Sequence, residues 1–267
     1  MELRALGSTG IMVSPLGLGT VKIGRNQQVK YPTGFAIPDD TQVSELLTTT
    51  WELGINILDT APAYGNSEER LGQLLPHRHD WVIVGKVGEI FENGESRFDF
   101  SADYTRQSVE RSLRRLRRDV IDVMLVHSHG DDMSIIHNEA VCDTLQELKH
   151  RGLVKAIGMS TKTVEGGLWC VENMDVVMAT YNMEYQDELP VLERAAVKHK
   201  SVLIKKGLQS GHSTDARAAL SYVLQQQSVS SIIVGTIQKT HLIANVRAVE
   251  LAMESKITPT KIGKGEG

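Results

Sequence analysis

Short apolar runs recur along the chain and alternate with longer amphipathic segments. Segments 121–126 and 231–234 are apolar almost throughout, which is typical of strands buried on both faces of a parallel sheet. The pattern predicts strands over Val13–Gly19, Asn56–Asp59, Trp81–Lys86, Ile121–His127, Ala156–Ser160, Val176–Tyr181, Ser201–Lys205 and Ser231–Gly235.

The amphipathic segments between these runs carry apolar residues at helical spacing. Asn66 and Ser101 precede two of them as candidate N-terminal caps, and Gly54 and Gly152 follow two others, where a left-handed residue is expected. Helices are predicted over Thr41–Leu53, Ser67–Leu75, Tyr104–Leu116, Asn138–Arg151, Thr163–Glu172, Asp187–His199, Thr214–Gln226 and Lys239–Met253.

A strand and helix repeated eight times within 267 residues predict an α/β fold, a closed (β/α)8 TIM barrel. We expect one domain over residues 1–267, with a loose tail from 255 to 267. The Leu3–Val13 segment, with a Gly-Ser-Thr-Gly turn, is expected to form a β-hairpin that plugs the barrel floor. Ile23–Pro38 and Val87–Ser101 are the long irregular loops, and such loops usually carry function.

Chemically active residues stand where predicted strands end. Asp59 ends the second strand, Lys86 the third and His127 the fourth, and Tyr64 lies five residues after Asp59. Any one of them has a structural explanation, such as a loop cap or a packed ring. Together, an acid, an amine, an imidazole and a phenol at one barrel mouth indicate an active site.

These residues lie in motifs that resemble the aldo-keto reductase family. The segment Asp59–Gly65, followed by Ser67 and Glu68, matches the family signature. Further matches are Leu6–Gly10, Ser14–Thr20, Gly85–Lys86, Leu125–His127, Gly158–Ser160, Tyr181–Asn182 and the segment from Gly235 to Asn245. The matches run the length of the chain, so the resemblance implies the same barrel and a carbonyl oxidoreductase activity.

The resemblance implies that Asp59, Tyr64, Lys86 and His127 are the catalytic residues. Hydride transfer to a carbonyl leaves an alkoxide, which needs a proton from a group about 3 Å away. Tyr64 would supply it, and the ammonium of Lys86 is expected to lower the pKa of the phenol. Asp59 would hold Lys86, and His127 would polarise the carbonyl oxygen.

The family also implies NADP(H) as cofactor, bound across the barrel mouth. The Gly17–Lys22 segment begins like a dinucleotide fingerprint, but a lysine replaces its third glycine, so we set that match aside. The resemblance assigns to the cofactor Gly19, Thr20, Ser160, Thr161, Met178, Lys205, Lys206, Gly207, Leu208, Ser210, Gly211, Gly235, Thr236, Lys239, His241 and Asn245.

Four of these positions depart from the family pattern. Thr161 replaces an asparagine, Met178 a glutamine that binds the carboxamide, Lys205 a stacking aromatic and His241 an arginine for the 2′-phosphate. The departures leave NADP and NAD open as alternatives. For Lys205 two roles are open: a cation that favours the reduced cofactor over the oxidised one, or a ligand of substrate or phosphate oxygens.

Substrate residues are expected in the two long loops. Glu89, Phe91 and the segment Arg25–Tyr31 could line the pocket, and His129 lies on the same side of its strand as His127. Phe91 and His129 are the substrate residues that we predict. The segment Phe98–Ser101 is similar to the sugar-dehydrogenase branch of the family, which adds aldoses to aldehydes and ketones as candidate substrates.

Composition narrows the partners to small molecules. The net charge of −4 argues against a nucleic-acid binder, and the Arg114–Arg118 cluster is interpreted as a solvated helix end. No apolar run is long enough for a membrane span, so a cytoplasmic enzyme is expected. Cys142 and Cys170 lie in helical patterns and are expected to be reduced, with no metal site. The oligomeric state stays open, a monomer included.

Two other functions compete with the reductase. His127, His129 and Asp59 could belong to a metal-dependent hydrolase, but the later strand ends offer too few ligands. The chain could also be a non-catalytic NADP(H) sensor or accessory subunit, since the carboxamide contacts are altered. The four predicted catalytic residues argue for the enzyme.

Overall fold

A computed structural model describes residues 1–257, and eight parallel strands close into the predicted barrel. The strands around the barrel are β3 (Leu16–Gly19), β4 (Ile57–Asp59), β5 (Val82–Val87), β8 (Ile121–His127), β9 (Val154–Ser160), β10 (Val176–Thr180), β11 (Ser201–Lys205) and β12 (Val229–Val234). Each pairs in parallel with its neighbours, and β12 returns to β3. The (β/α)8 prediction is confirmed.

The N-terminal hairpin lies at the barrel floor, as predicted. Its strands are β1 (Arg4–Ala5) and β2 (Met12–Val13), paired antiparallel. Leu6 and Val13 are fully buried in the apolar cluster inside the barrel. Arg4 Nη1 donates to the carbonyl of Val229, which fixes the hairpin to the start of β12.

Alternate residues of each strand point into the barrel, because strand side chains have a period of two. Ile57, Val84, Leu125, Met178 and Leu203 belong to this inner cluster. A second, larger cluster lies between the strands and the surrounding helices. The inner cluster fills the barrel below its mouth, so the mouth is where polar side chains can gather.

Helices cover the outer surface of the barrel. The capping box of Asp39 and Gln42 opens the first helix and Ser101 caps the third, while Gly54 and Gly152 adopt the predicted positive φ after the first and fifth helices. The helices are α1 (Asp40–Glu52), α2 (Ser67–Leu74), α3 (Ala102–Leu116), α4 (Asp132–Asn138), α5 (Val141–His150), α6 (Val164–Asn173), α7 (Leu189–Val197), α8 (Ala216–Leu224) and α9 (Lys239–Ile257).

The prediction of an irregular loop over Val87–Ser101 is wrong, because this segment contains a β-hairpin. Strand β6 (Glu89–Glu92) pairs antiparallel with β7 (Glu95–Phe98). Asn93 and Gly94 between them have φ of 53° and 82°, the geometry that an Asn-Gly turn favours. This dipeptide is the signal in the sequence that could have identified the hairpin.

Other differences lie at the ends of helices. A separate helix, α4, precedes the predicted 138–151 helix, where Asp131 caps it through the amide of Ser134. The side chain of Asn66 makes no capping hydrogen bond. Helix α9 continues to Ile257, beyond the predicted start of the tail at 255, and the rest of that tail lies outside the described residues.

A buried carboxylate joins neighbouring strands of the barrel. Asp122 on β8 accepts from the amide of Ile83 on β5 at 2.9 Å and forms ion pairs with Arg118 at 3.0 Å and Lys155 at 2.7 Å. The side chains of Asp122 and Arg118 are 4% and 7% exposed. Removing one partner of such a pair leaves the other charge buried and uncompensated.

We expect Asp122→Ala to lower the free energy of unfolding by about 3 kcal/mol, the cost of breaking a buried ion pair. Urea unfolding followed by circular dichroism measures the change. Asp119→Ala, which removes an exposed carboxylate nearby, is the matched control and should change stability by less than about 0.5 kcal/mol. Equal stability of the two variants would contradict the prediction.

Candidate active site

The strand ends bring the four predicted catalytic residues together. Asp59, Lys86 and His127 end or nearly end β4, β5 and β8, each two residues after an inward-facing apolar residue. Lys86 Nζ lies 2.5 Å from Asp59 Oδ1 and donates to the hydroxyl of Tyr64 at 3.1 Å. The Tyr64 hydroxyl is 3.5 Å from Asp59 Oδ2. The ring centroids of Tyr64 and His127 are 6.2 Å apart and nearly perpendicular.

Two glycines fix the position of Tyr64. Gly65 has φ +63°, and a Cβ added there would collide with the carbonyl of Gly24 in the first long loop. A Cβ on Gly24 would in turn collide with the carbonyl of Tyr64. The backbones of the two loops therefore touch directly beside the phenol, which only glycine permits.

The pKa of Tyr64 is raised well above its usual value, contrary to our expectation that Lys86 lowers it. Burial is the largest cause, and the carboxylates of Asp59 and Glu89 add to it, against a smaller opposite effect of Arg25. Lys86 does not dominate because its charge is already paired with Asp59 at 2.5 Å. In the free protein the phenol is consequently a fully protonated group.

Glu89 of the β6–β7 hairpin faces the imidazole of His127. Its Oε2 lies 2.9 Å from His127 Nδ1, a distance at which the two form an ion pair when the imidazole is protonated. Its Oε1 accepts from Ser96 at 2.7 Å and lies 3.6 Å from Arg25. Burial lowers the pKa of His127, and Glu89 only partly offsets this effect.

A cleft of about 710 Å³ opens over these residues and runs toward the start of α9. This volume lies in the range of cofactor and ligand sites. Asp59, Tyr64, Lys86 and His127 line one end. Most of the predicted cofactor residues line the rest: Gly19, Ser160, Met178, Lys205, Lys206, Leu208, Ser210, Gly211, Gly235, Thr236, His241 and Asn245.

Four predicted cofactor residues lie behind or beside the cleft. Thr20 is buried, donates to the carbonyl of Asp59 and accepts from Ser67. Thr161 is fully buried. Gly207 packs against β12, where a Cβ would approach Ile232 to 2.7 Å. Lys239 lies outside the cleft because it pairs with Glu45 of α1 at 2.6 Å.

Lys205 enters the cleft from the end of β11. Its Nζ donates to the hydroxyl of Ser160 at 2.9 Å and to the carbonyl of Thr161 at 2.5 Å. Burial lowers the pKa of Lys205 to about 8, while the buried carboxylate of Glu188 acts in the opposite direction. The amine can therefore change its charge within the ordinary pH range.

The first long loop covers part of the cleft. Lys22 lies 3.8 Å from the ring centroid of Tyr31 and 5.0 Å from that of Phe35, and all three residues line the cleft. The Tyr31 hydroxyl approaches Gly235, and Pro32 approaches Gly211. Apart from the length of the loop, no local pattern predicts this cover, since it depends on contacts with residues that follow the distant strands β11 and β12.

The two predicted substrate residues do not line this cleft. The ring of Phe91 packs on the guanidinium of Arg25, with 3.4 Å between Arg25 Cζ and the ring centroid. His129 is exposed and packs edge-on against Phe98 and Phe100. Both belong to the aromatic rim on the hairpin side of the mouth.

Within the part of the chain that the structure describes, no three histidine, cysteine or acidic side chains cluster as metal ligands do. Cys142 and Cys170 are free thiols, and burial raises the pKa of Cys142 to about 11. In Cys170 the thiol donates to the carbonyl of Val176 at 3.3 Å.

The sequence profile of the Aldo/keto reductase family matches residues 15–200. This match covers well over half of the chain and includes three barrel-strand ends with Asp59, Lys86 and His127. The chain belongs to the aldo/keto reductase family.

Relatives in this family are similar over most of the chain. L-galactose dehydrogenase of Arabidopsis thaliana is 28% identical over 93% of this chain and 88% of its own length. NADH-specific methylglyoxal reductase of Escherichia coli is 30% identical over 68% of this chain and 60% of its own length. The crystal structure of an aldo-keto reductase from Pseudomonas aeruginosa is 51% identical and superimposes with a TM-score of 0.87, covering 94% of this chain and 96% of that one.

For this aldo/keto reductase, we expect Tyr64 to stay protonated below pH 10. Near-ultraviolet absorbance of phenolate is measured against pH for the wild type and for Tyr64→Phe, and the difference between the two curves isolates Tyr64. This difference should stay flat up to the usual tyrosine pKa of about 10. Asp59→Asn should bring the titration of Tyr64 to lower pH, because it removes a repulsive carboxylate and unpairs Lys86. A wild-type phenolate signal near neutral pH would contradict this interpretation.

Proposed function

We propose that this aldo/keto reductase transfers a hydride between NADP(H) and the carbonyl or alcohol group of an aldehyde, ketone or aldose. Tyr64 is the proton donor of the reduction. The observation that carries the proposal is the hydrogen-bonded series Asp59–Lys86–Tyr64. It lies at one end of a cleft that is lined along the rest of its length by most of the predicted cofactor residues.

The residues of the site fit a nicotinamide dinucleotide. Five lysines line the cleft (Lys22, Lys86, Lys162, Lys205 and Lys206), and Asp59 is its one carboxylate among the described residues. Such an excess of positive charge suits a ligand with several phosphates. The buried hydroxyl of Thr161, next to Ser160, lacks a hydrogen-bond partner in residues 1–257 but lies behind the cleft lining.

The bound cofactor would supply the hydride. Lys86 holds the hydroxyl of Tyr64 at 3.1 Å, and the burial of the phenol keeps its proton in place until charge develops on the substrate oxygen. Tyr64 then gives its proton to that alkoxide, and the adjacent ammonium stabilises the phenolate that remains. Asp59 keeps Lys86 in position and compensates its buried charge. His127 binds the carbonyl oxygen and polarises it.

Ser160, Met178, Lys205 and Lys206 would hold the nicotinamide end in this proposal. Gly19, Leu208, Ser210 and Gly211 would line the sugar and pyrophosphate, and Gly235, Thr236, His241 and Asn245 the adenosine end. Thr20, Thr161 and Gly207 would act from behind these groups, and Lys239 would have to leave Glu45 to reach a phosphate. The lysine-rich lining supports NADP(H), whereas the similarity to an NADH-specific reductase keeps NAD(H) as the alternative.

Aldoses are the substrate class that we favour within this proposal. L-galactose dehydrogenase, the plant relative, is named for a sugar, and the similarity extends over 93% of this chain. Phe91 and His129 at the rim of the mouth would contact the part of the substrate that extends beyond the reacting carbonyl.

We place the enzyme in the cytoplasm. No helix within residues 1–257 is both long and apolar enough to cross a membrane.

Replacing Tyr64 with phenylalanine tests the enzyme against the sensor alternative. We expect Tyr64→Phe to lower kcat for carbonyl reduction by about a hundredfold or more, because the alkoxide loses its proton donor. Consumption of NADPH with aldehydes, dicarbonyls and aldoses measures the rate. Tyr104→Phe on the outer helix α3 is the control and should retain the wild-type rate. Equal inactivity of wild type and Tyr64→Phe with every substrate would favour a non-catalytic binding role.

Lys205 would favour the reduced cofactor over the oxidised one. Its amine reaches Ser160, the residue proposed to contact the nicotinamide end. A charged amine there repels the positive ring of the oxidised cofactor and leaves the neutral, reduced ring unaffected. The pKa of Lys205 is lowered to about 8, so the repulsion is present below pH 8 and disappears as pH rises through this value.

We expect Lys205→Met to tighten the binding of NADP⁺ relative to NADPH by about tenfold at pH 6 to 7, as expected for the loss of one screened repulsion. Fluorescence titration of both cofactors measures the two dissociation constants. In the wild type the preference for NADPH should itself decline above pH 8. Lys198→Met, which removes an exposed lysine paired with Glu172, is the control. An unchanged ratio in Lys205→Met would overturn this role.

A further inference from the structure

Glu89 is a partly buried acid beside His127 that takes no part in the proposed hydride and proton transfer. It comes from the β6–β7 hairpin, outside the barrel strands that supply the other charged groups. Its side chain is 13% exposed and both of its oxygens have close neighbours: Oε1 accepts from Ser96, and Oε2 lies 2.9 Å from His127 Nδ1.

Arg25 holds this carboxylate in place from the opposite side. The guanidinium lies 3.6 Å from Glu89, donates to the carbonyl groups of Gln27 and Ala63, and is covered by the ring of Phe91. The hairpin, the first loop and the loop that carries Tyr64 therefore meet at Arg25. A carboxylate so restrained is a fixed charge rather than a mobile side chain.

The charge of Glu89 is retained at every ordinary pH. Burial alone would raise the pKa of Glu89, but the contact with His127, the hydroxyl of Ser96 and the charge of Arg25 outweigh burial and lower the pKa to about 2. Two unprotonated atoms with lone pairs would repel each other across 2.9 Å. Nδ1 of His127 must therefore carry the proton in the neutral imidazole.

The other ring nitrogen of His127 then faces the cleft. Nδ1 is buried against Glu89, whereas the side chain keeps 18% exposure and lines the cleft beside Tyr64. With Nδ1 protonated, Nε2 of the neutral ring is a hydrogen-bond acceptor, and it becomes a donor only in the imidazolium form. A carbonyl oxygen requires a donor, and an alcohol hydroxyl can use an acceptor.

We propose that Glu89 is a positioning residue that holds His127 with Nδ1–H toward its carboxylate and Nε2 toward the substrate oxygen. Through this contact Glu89 also stabilises the imidazolium form, which polarises the carbonyl. The proposal deepens the proposed reductase function and rests on it. The other charges that act on the imidazole are those of Lys86 and Lys205, which oppose its protonation. Glu89 is the carboxylate that counters them.

The first test observes His127 in the cofactor-free protein and needs no activity. Nitrogen-15 NMR of histidine-labelled protein, assigned with His127→Asn, gives both the tautomer and the pKa of the imidazole. We expect the wild type to hold the Nδ1–H tautomer. Glu89→Gln, which keeps the shape and loses the charge, should lower the pKa of His127 by about one unit. Glu89→Leu should also lose the tautomer preference.

The second test is the pH profile of carbonyl reduction. The rate should decline with rising pH as the imidazolium of His127 loses its proton, and Glu89→Gln should move this decline to lower pH by the same one pKa unit. At neutral pH kcat/KM should therefore fall by up to about tenfold. Glu89→Asp should recover part of this loss. Glu92→Gln in the same hairpin, where Glu92 forms an exposed ion pair with Arg97, is the matched control and should leave the profile unchanged.

The two tests separate this proposal from the proposed function. If His127 in Glu89→Gln has the same tautomer and pKa as in the wild type, the role of Glu89 is overturned, whatever the activity. If the NMR result is as expected but wild type reduces no carbonyl compound, Glu89 positions His127 and the reductase function is wrong.

Discussion

The two-residue period of side chains along parallel strands is the constraint on which this site depends. Within a closed barrel every second side chain of every strand points to the same axis. The inner residues Ile57, Val84 and Leu125 are therefore followed, two positions later, by Asp59, Lys86 and His127 at the mouth. Apolar side chains fill the barrel, and charged ones gather only where the filling stops.

The charges at the mouth form a balanced set rather than independent groups. Lys86 is 2% exposed and is tolerated there because Asp59 lies 2.5 Å away. This pairing removes most of the effect that the ammonium would otherwise exert on Tyr64, so burial and the carboxylates control the phenol. In the proposed mechanism, the charge that develops on the substrate oxygen would therefore drive proton donation, because the phenol of Tyr64 is not acidic by itself.

Much of this arrangement follows from the sequence, because the period of the strands and the motif around Tyr64 are local. The barrel, the floor hairpin and the convergence of Asp59, Lys86 and His127 were predicted from such local patterns. The direction of the pKa shift of Tyr64 was not, since it depends on the burial of the phenol and on the carboxylates around it, Asp59 and Glu89. Glu89 reaches the site only because Asn93 and Gly94 turn a segment predicted as a loop into a hairpin.

The hairpin at the floor has a consequence for solvent. Leu6 and Val13 seal the lower end of a barrel whose interior is filled by apolar side chains. In the proposed reduction, the proton that Tyr64 donates would be replaced from above, through the opening that would admit the cofactor and that Tyr31 and Phe35 partly cover. Reprotonation of Tyr64 and exchange of the cofactor and substrate would then use one opening, so a movement of that cover would affect both.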